Sequence, residues 1–266
     1  MEGINIGLDT SFLSHIVVAD LQETLKEMDI AYQFKDIQPC NLALLDSDGI
    51  DIIVLPLMDV PISNEKDSWV ISGFLRRQPC NYYSYIKEIH SSIFGVRPNG
   101  VIGIQDSFLK NQIADLRPDV DVKELDHALA LSQLKSKQID AYITRLVLDG
   151  ESLHKITIAT GDITPKTSTG IYALLSNRVN IKARKMSQLI HDDETGYVSN
   201  VERALSNKLE KPCQIYCSQD RAGNYHLNVY KPTKNEKSIR LQISQSTFVG
   251  LADRALNIVL NKNEKL

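Results

Sequence analysis

The 266-residue chain holds one tryptophan and four cysteines. Cys40, Cys80, Cys213 and Cys217 are too few and too scattered for a disulfide framework in a chain this long, and they read as reduced thiols. Cys213 and Cys217 stand four apart, but no matching Cys or His cluster at zinc spacing accompanies them, which argues against a metal site. No basic block stands out. With 30 Lys and Arg against 33 Asp and Glu and a formal net charge of -3, a general nucleic-acid surface is not expected. No apolar run reaches the roughly 20 residues of a membrane span, so no membrane partner is expected. The opening MEGINIGLDT lacks a charged region followed by an apolar one. No secretory leader is expected there, and the expected location is cytoplasmic.

What is present is an ordinary globular mixture, 42% hydrophobic and 24% charged, enough for a packed core. Ile4–Leu8 reads as a strand, followed by a turn at Asp9, Thr10 and Ser11 and a helix over Leu13–Met28. Ala31–Phe34 reads as a second strand and Leu42–Leu45 as a short helix. Asp51–Leu55 (DIIVL) is a β-branched run of the kind found in buried parallel strands. Val70–Gly73 and Asn81–Tyr85 follow as strands. A second strand-turn-helix unit opens at Val101–Ile104 and Ser107, with a helix to Leu116, a strand after Pro118, a helix over Leu125–Lys137 and a strand at Asp140–Thr144. Gly170–Leu175 reads as a strand crossing back to the first lobe. A helix over Asp192–Leu209, three alternating strands from Gln214, and a helix over Phe248–Leu260 complete the chain.

This pattern predicts an α/β fold of two similar lobes, like those of periplasmic-type binding proteins, with a cleft between them, plus a small C-terminal α+β domain. The expected boundaries are residues 1–86 with 162–182 for the first lobe, 87–161 for the second, and 183–266 for the third. The hinge is expected near 85–95.

Several residues stand where chemistry is possible, each beside a plainer reading. Asp59 follows a strand and is either a site carboxylate or a turn residue. Cys213 is either an anchoring thiol or an inert one. Ser11 and Ser107 open helices after strands, offering backbone N–H groups to an anion or simply capping. Arg76 and Arg77 are either an anion-binding pair or a surface dipeptide. Lys110 is a further cation near the second helix start. His191, Asp192 and Asp193 are either a ligand cluster or, the preferred reading, a solvated helix start, and Tyr82, Tyr83 and Tyr85 read as strand packing.

Two segments resemble the porphobilinogen deaminase (hydroxymethylbilane synthase) family. VERALSNKLEKPCQI, Val201–Ile215, resembles the family segment whose cysteine carries a dipyrromethane cofactor through a thioether, and that cysteine falls on Cys213. MDVPIS, Met58–Ser63, resembles the family's Asp-Val-Pro stretch, whose acid/base aspartate falls on Asp59. The resemblance implies a monomeric transferase of tetrapyrrole and heme biosynthesis. Such an enzyme joins porphobilinogen units with release of ammonia, and its partner is a small acidic substrate. The chain also departs from the family. Asp9, Glu124 and Ala130 stand where the family has arginines, Asp106, Ser107, Phe108, Leu109, Lys110 and Asn111 stand in place of its Ser-Ser-Leu-Arg-Arg run, Met58 replaces a lysine, and the mobile Gly-rich lid is missing. Carboxylates placed beside a poly-carboxylate repel it by on the order of 1 kcal/mol per close pair. Impaired or altered activity is therefore expected, and the alternative is a non-catalytic small-molecule or tetrapyrrole-binding protein on the same fold.

Overall fold

The structure, a computed structural model, describes residues 3–8, 15–37, 49–60, 68–87, 93–148, 153–209, 212–233 and 238–263. Asp9, Ser11, Cys40 and the short helix expected at Leu42–Leu45 lie outside the described residues. The chain forms two compact units, residues 1–79 with 168–203, and residues 80–167 with 204–266.

The first unit is built on β1 (Ile4–Leu8), α1 (His15–Glu27), β2 (Tyr32–Asp36), β3 (Ile52–Pro56), β4 (Trp69–Phe74) and β10 (Tyr172–Asn177). The sheet order is β2-β1-β3-β10-β4. β1 pairs in parallel with β2 and β3, while β10 is antiparallel to both β3 and β4. Each strand side faces its own core, which is why β3 is apolar at every residue. Ile52 and Val54 join Ile4, Ile6 and Leu8 beneath Val17, Leu21 and Leu25, the four-residue stripe of α1. Ile53 and Leu55 pack on the other face with Trp69, Phe74, Ala173 and Leu175.

The second unit repeats this plan with β5 (Tyr82–Ile86), β6 (Val101–Ile104), α2 (Leu109–Leu116), β7 (Asp121–Glu124), α3 (His127–Lys135), β8 (Ala141–Thr144) and β9 (His154–Ile158). The order is β7-β6-β8-β5-β9. β6 lies between parallel β7 and β8, as β1 lies between β2 and β3, and antiparallel β5 takes the place of β10. Both units are thus α/β lobes with the same strand plan.

Two expected boundaries move. Tyr82–Ile86 was assigned to the first lobe, yet it pairs with β8 and β9, because its apolar residues Tyr82 and Ile86 complete the second core. The third domain was expected from residue 183. Instead α4 (Ile181–Leu189) packs on β4 and β10 and buries Ala183 in the first core. α5 (Asp193–Lys208) follows it.

The C-terminal meander β11 (Gln214–Gln219), β12 (Tyr225–Lys231) and β13 (Ile239–Gln245) is a separate antiparallel sheet, with α6 (Leu251–Asn263) against β13. It is stitched to the second lobe rather than standing alone. Arg240 donates to the carbonyls of Asp162 and Gln112 at 2.6 and 2.7 Å, and Tyr230 Oη donates to Asp115 at 2.7 Å. The Ile215 N–H donates to Thr167 Oγ1 at 3.0 Å.

Candidate functional site

In each lobe the candidate residues sit at the carboxyl edge of the parallel strands, where the sheet's turns leave side chains unburied. In the first lobe β3 ends at Pro56 and passes into a single 3-10 turn, Leu57–Asp59. Leu57 plugs the core and its N–H donates to the Ile171 carbonyl at 2.9 Å. This fixes the turn and leaves Asp59 exposed just beyond the strand end. Pro61 and Ser63 of the same motif lie outside the described residues.

β4 ends at the same edge, and Arg76 and Arg77 follow it. They are not a matched anion fork. Arg77 is consumed by the protein: its Nη1 lies 2.7 Å from Glu202 Oε1, and its Nε and Nη2 donate to the Thr169 carbonyl at 3.0 and 2.9 Å. Glu202 is fully buried, and its second oxygen accepts the Ser168 N–H at 2.7 Å. Arg77 therefore neutralises a buried carboxylate and pins the 168–170 turn. Arg76 is exposed and lines a shallow cavity of about 240 Å³ together with Asp20, His191 and Asp192. Asp20 accepts from Gln78 Nε2 at 2.9 Å, so the cavity wall carries acidic groups as well as the arginine.

His191 is not the centre of a ligand cluster. Its Nδ1 accepts the Phe74 N–H at 3.0 Å, which leaves the proton on Nε2, 3.6 Å from Asp193. Asp192 caps α5 by accepting the Thr195 N–H at 2.7 Å, the solvated helix start read from the sequence.

In the second lobe the edge carries Asp106, Ser107, Lys110, Glu124 and Tyr82. Ser107 makes no side-chain cap: the residue preceding α2 is Phe108, without a capping bond. The N–H groups of Leu109 and Lys110 are taken by the carbonyls of Asp106 and Ser107 at 3.0 and 3.1 Å. The helix start is thus less open to an anion than its sequence suggests. Lys110 is exposed, as is Glu124 at the end of β7. Ala130, by contrast, is wholly buried in the core, so that position faces away from any ligand.

The group the sequence did not reveal is Tyr82. Its hydroxyl donates to Asp106 Oδ2 at 3.1 Å. Burial, then the neighbouring Asp106 carboxylate, raises its pKa far above the ordinary phenol value, while Arg145 opposes the shift. Beside it, Thr144 Oγ1 donates to Gln105 at 3.3 Å, and Lys166 Nζ lies 4.7 Å from the Phe108 ring centroid. This edge therefore carries an oriented carboxylate–phenol pair with cations nearby. Tyr82 and Asp106 meet only because β5 runs antiparallel to β8, so no local spacing announces them.

Cys213 precedes β11 and is partly exposed, whereas Cys80 and Cys217 are buried; none of the three is in a disulfide. Next to it Gln214 is buried, and its Oε1 has no hydrogen-bond partner. Among the described residues no group of three His, Cys, Asp or Glu is placed to hold a metal ion.

No family model matches the chain. Among solved structures it is similar to the second substrate-binding domain of a putative amino acid ABC transporter from Streptococcus pneumoniae, at 12% identity and a TM-score of 0.49, over 70% of this chain and 91% of that one. It is also similar to substrate-binding domain 2 of the Lactococcus lactis GlnP protein, at 13% identity and a TM-score of 0.46, over 72% and 87%. Among curated proteins it is similar to a probable porphobilinogen deaminase of Nitrosopumilus maritimus, 26% identical over 174 residues, a match covering 62% of this chain and about half, 54%, of that relative's length.

Proposed function

We propose that the chain is a divergent relative of the porphobilinogen deaminases. In this reading it keeps the acid/base and anchoring groups but has lost most of the anion clamp, leaving impaired or altered hydroxymethylbilane synthesis. The observation that carries the reading is the placement of Cys213. Among the described cysteines it is the one that is not buried, and it falls within the segment that resembles the family's.

The residues present fit a dipyrromethane. The Cys213 thiol can form the thioether, and the buried, unpartnered Gln214 Oε1 is an acceptor suited to a pyrrole N–H. Bound there, the group supplies the primer to which pyrrole units add. Asp59, exposed at a strand end, delivers a proton to the amine nitrogen of porphobilinogen so that ammonia leaves. The resulting carboxylate then stabilises positive charge on the substrate.

A second reading, a binding protein without turnover, is favoured by the fate of the cations. Arg77 is spent on Glu202 and Thr169, and Arg76 lines a cavity together with Asp20 and Asp192. Remote binding energy that positions the reacting centre is then missing.

Intact-mass measurement of the protein from tetrapyrrole-making cells, beside Cys213→Ser, separates the two. An added dipyrromethane mass that the variant lacks, with ammonia release from porphobilinogen that Asp59→Asn abolishes, is the expected result. An unmodified mass and no ammonia would leave the binding reading.

A further inference from the structure

We infer that the C-terminal sheet carries a second catalytic site, in which Ser244 takes the acyl group of a small carboxylic ester and passes it to water. Strand register builds the site. β12 is the middle strand of the sheet, and His226 stands directly opposite Ser244 of β13. Asp220 begins the hairpin between β11 and β12 and reaches the same imidazole. His226 Nε2 lies 3.0 Å from Asp220 Oδ2, and its Nδ1 lies 2.7 Å from Ser244 Oγ. An ionised carboxylate only accepts, so Nε2 carries the proton and Nδ1 turns its lone pair to the hydroxyl.

Asp220 is fixed as an orienting group. Its Oδ1 accepts the N–H groups of Ala222 and Asn224 at 2.9 and 2.8 Å, and its Oδ2 also accepts from Asn224 Nδ2 at 3.2 Å. With His226 and these donors around it, the carboxyl stays ionised at neutral pH. Nucleophile, base and orienting group therefore stand within hydrogen-bond reach in the order that acyl transfer needs. Ser244 and His226 are the catalytic residues, and Asp220 positions the imidazole.

Access and charge stabilisation come from the same edge. Ser244 is exposed and the His226 side chain is 41% exposed, so an ester carbonyl can reach both. β13 is the outer strand of its sheet, and alternate N–H groups along it point away from β12. Either the Ser244 N–H or those of Ile243 and Gln245 do so. Among the described residues none of these three N–H groups has a backbone partner outside the strand ladder. Such a donor beside the hydroxyl meets the oxygen that becomes negative. Ser244 Oγ bonds to the ester carbon, the carbonyl π electrons move onto that oxygen, and the Oγ proton passes to His226 Nδ1. The carbon–oxygen bond to the leaving group then breaks, and the leaving oxygen takes that proton as an alcohol. Water next loses a proton to Nδ1 and attacks the acyl carbon. The carbon–Oγ bond breaks, Oγ takes the proton back, and the free acid departs.

Diisopropyl fluorophosphate tests the nucleophile, since Ser244 Oγ displaces its fluoride and mass spectrometry of the peptides locates the adduct. Ser246, exposed just beyond β13, is the internal reference. Ser244 should be labelled about a hundredfold faster than Ser246, the scale of one general base. His226→Gln should remove that advantage while the far-UV circular dichroism stays that of the parent. Hydrolysis of 4-nitrophenyl acetate tests turnover, read as the part of the rate that Ser244→Ala removes. Asp220→Asn should lower kcat for that part about tenfold, the scale of one charge-assisted hydrogen bond, with KM unchanged. Equal labelling of the two serines in the parent, a comparison that needs no variant, overturns the site, as does an advantage that survives His226→Gln. A Ser244-dependent burst that stops at one equivalent of 4-nitrophenol overturns the transfer to water. An unchanged kcat in Asp220→Asn overturns the positioning role. None of these outcomes depends on whether Cys213 carries a cofactor.

Discussion

Asp59 and Cys213 can be singled out in the sequence because each sits in a short contiguous motif, and the structure leaves the first exposed and the second partly exposed. The role of Arg77 was not legible there. As one of two adjacent arginines it looked available, yet its partners Glu202 and Thr169 lie 125 and 92 residues away in sequence. The same distance hid the role of Glu202, which helped carry the family resemblance and which the structure shows as a buried counter-ion. Glu202→Ala leaves the Arg77 guanidinium largely buried without its carboxylate, and should cost about 3 kcal/mol or more. A lowered urea midpoint with an unchanged slope would record that loss; an unmoved midpoint would refute the lock.

A second residue-scale prediction concerns Asp220, in the β11–β12 hairpin. His226 donates to it through Nε2 at 3.0 Å, and the N–H groups of Ala222 and Asn224 donate at 2.9 and 2.8 Å. The His226 bond first, then those from Asn224, hold the Asp220 carboxyl down at about 2. The folded pKa is thus below the unfolded value of about 3.9. The stabilisation is therefore complete above about pH 4 and lost as pH falls toward 2. The melting-temperature gap between the parent and Asp220→Asn should close across that window, and a constant gap would count against it.

At the scale of elements, the strands β1, β3, β6 and β8 and the helix α1 were readable because they are buried on both faces or carry a clean four-residue stripe. Two elements gave no such signal. β9, HKITI, is an edge strand with mostly solvated side chains. α4, IKARKMSQL, is rich in cations and buries only Ala183 and Ser187. It is helical because Asn180 caps it, accepting the Ala183 N–H at 2.9 Å, and because β4 and β10 supply the surface it lies on. The turn that leads into β10 offers a sharper test. Gly170 has a φ of 75°, and a Cβ there would collide with the Gln78 carbonyl oxygen. Gly250 has nearly the same φ, 73°, with nothing within 4 Å of a Cβ. Gly250→Ala should cost about 1 kcal/mol from backbone strain alone. Gly170→Ala should cost measurably more, and equal thermal shifts for the two would mean that the Gln78 contact carries no weight.

For the molecule as a whole, the two-lobe plan was visible in the repeated strand-helix pattern, but the assignment of each antiparallel strand was not. β10 sits between β3 and β4 in the first sheet although it lies on the far side of the second lobe in sequence. A chain cut after Thr167 therefore has β3 and β4 with a missing neighbour, leaving backbone donors and acceptors unpaired and apolar faces open. Such a chain is expected to aggregate or to bind hydrophobic dyes, while retaining the second sheet, whose five strands lie within residues 82–158. A cut chain with an intact first sheet by hydrogen exchange would contradict this. The same wiring sets an order of events on the ribosome. At roughly 5–20 residues per second, the segment that emerges first must wait on the order of ten seconds for the strand that joins β3 to β4. The lobe that emerges second has every strand it needs before then. The first sheet is thus completed after the second, and during that interval its open strands are the part of the nascent chain most exposed to chaperones.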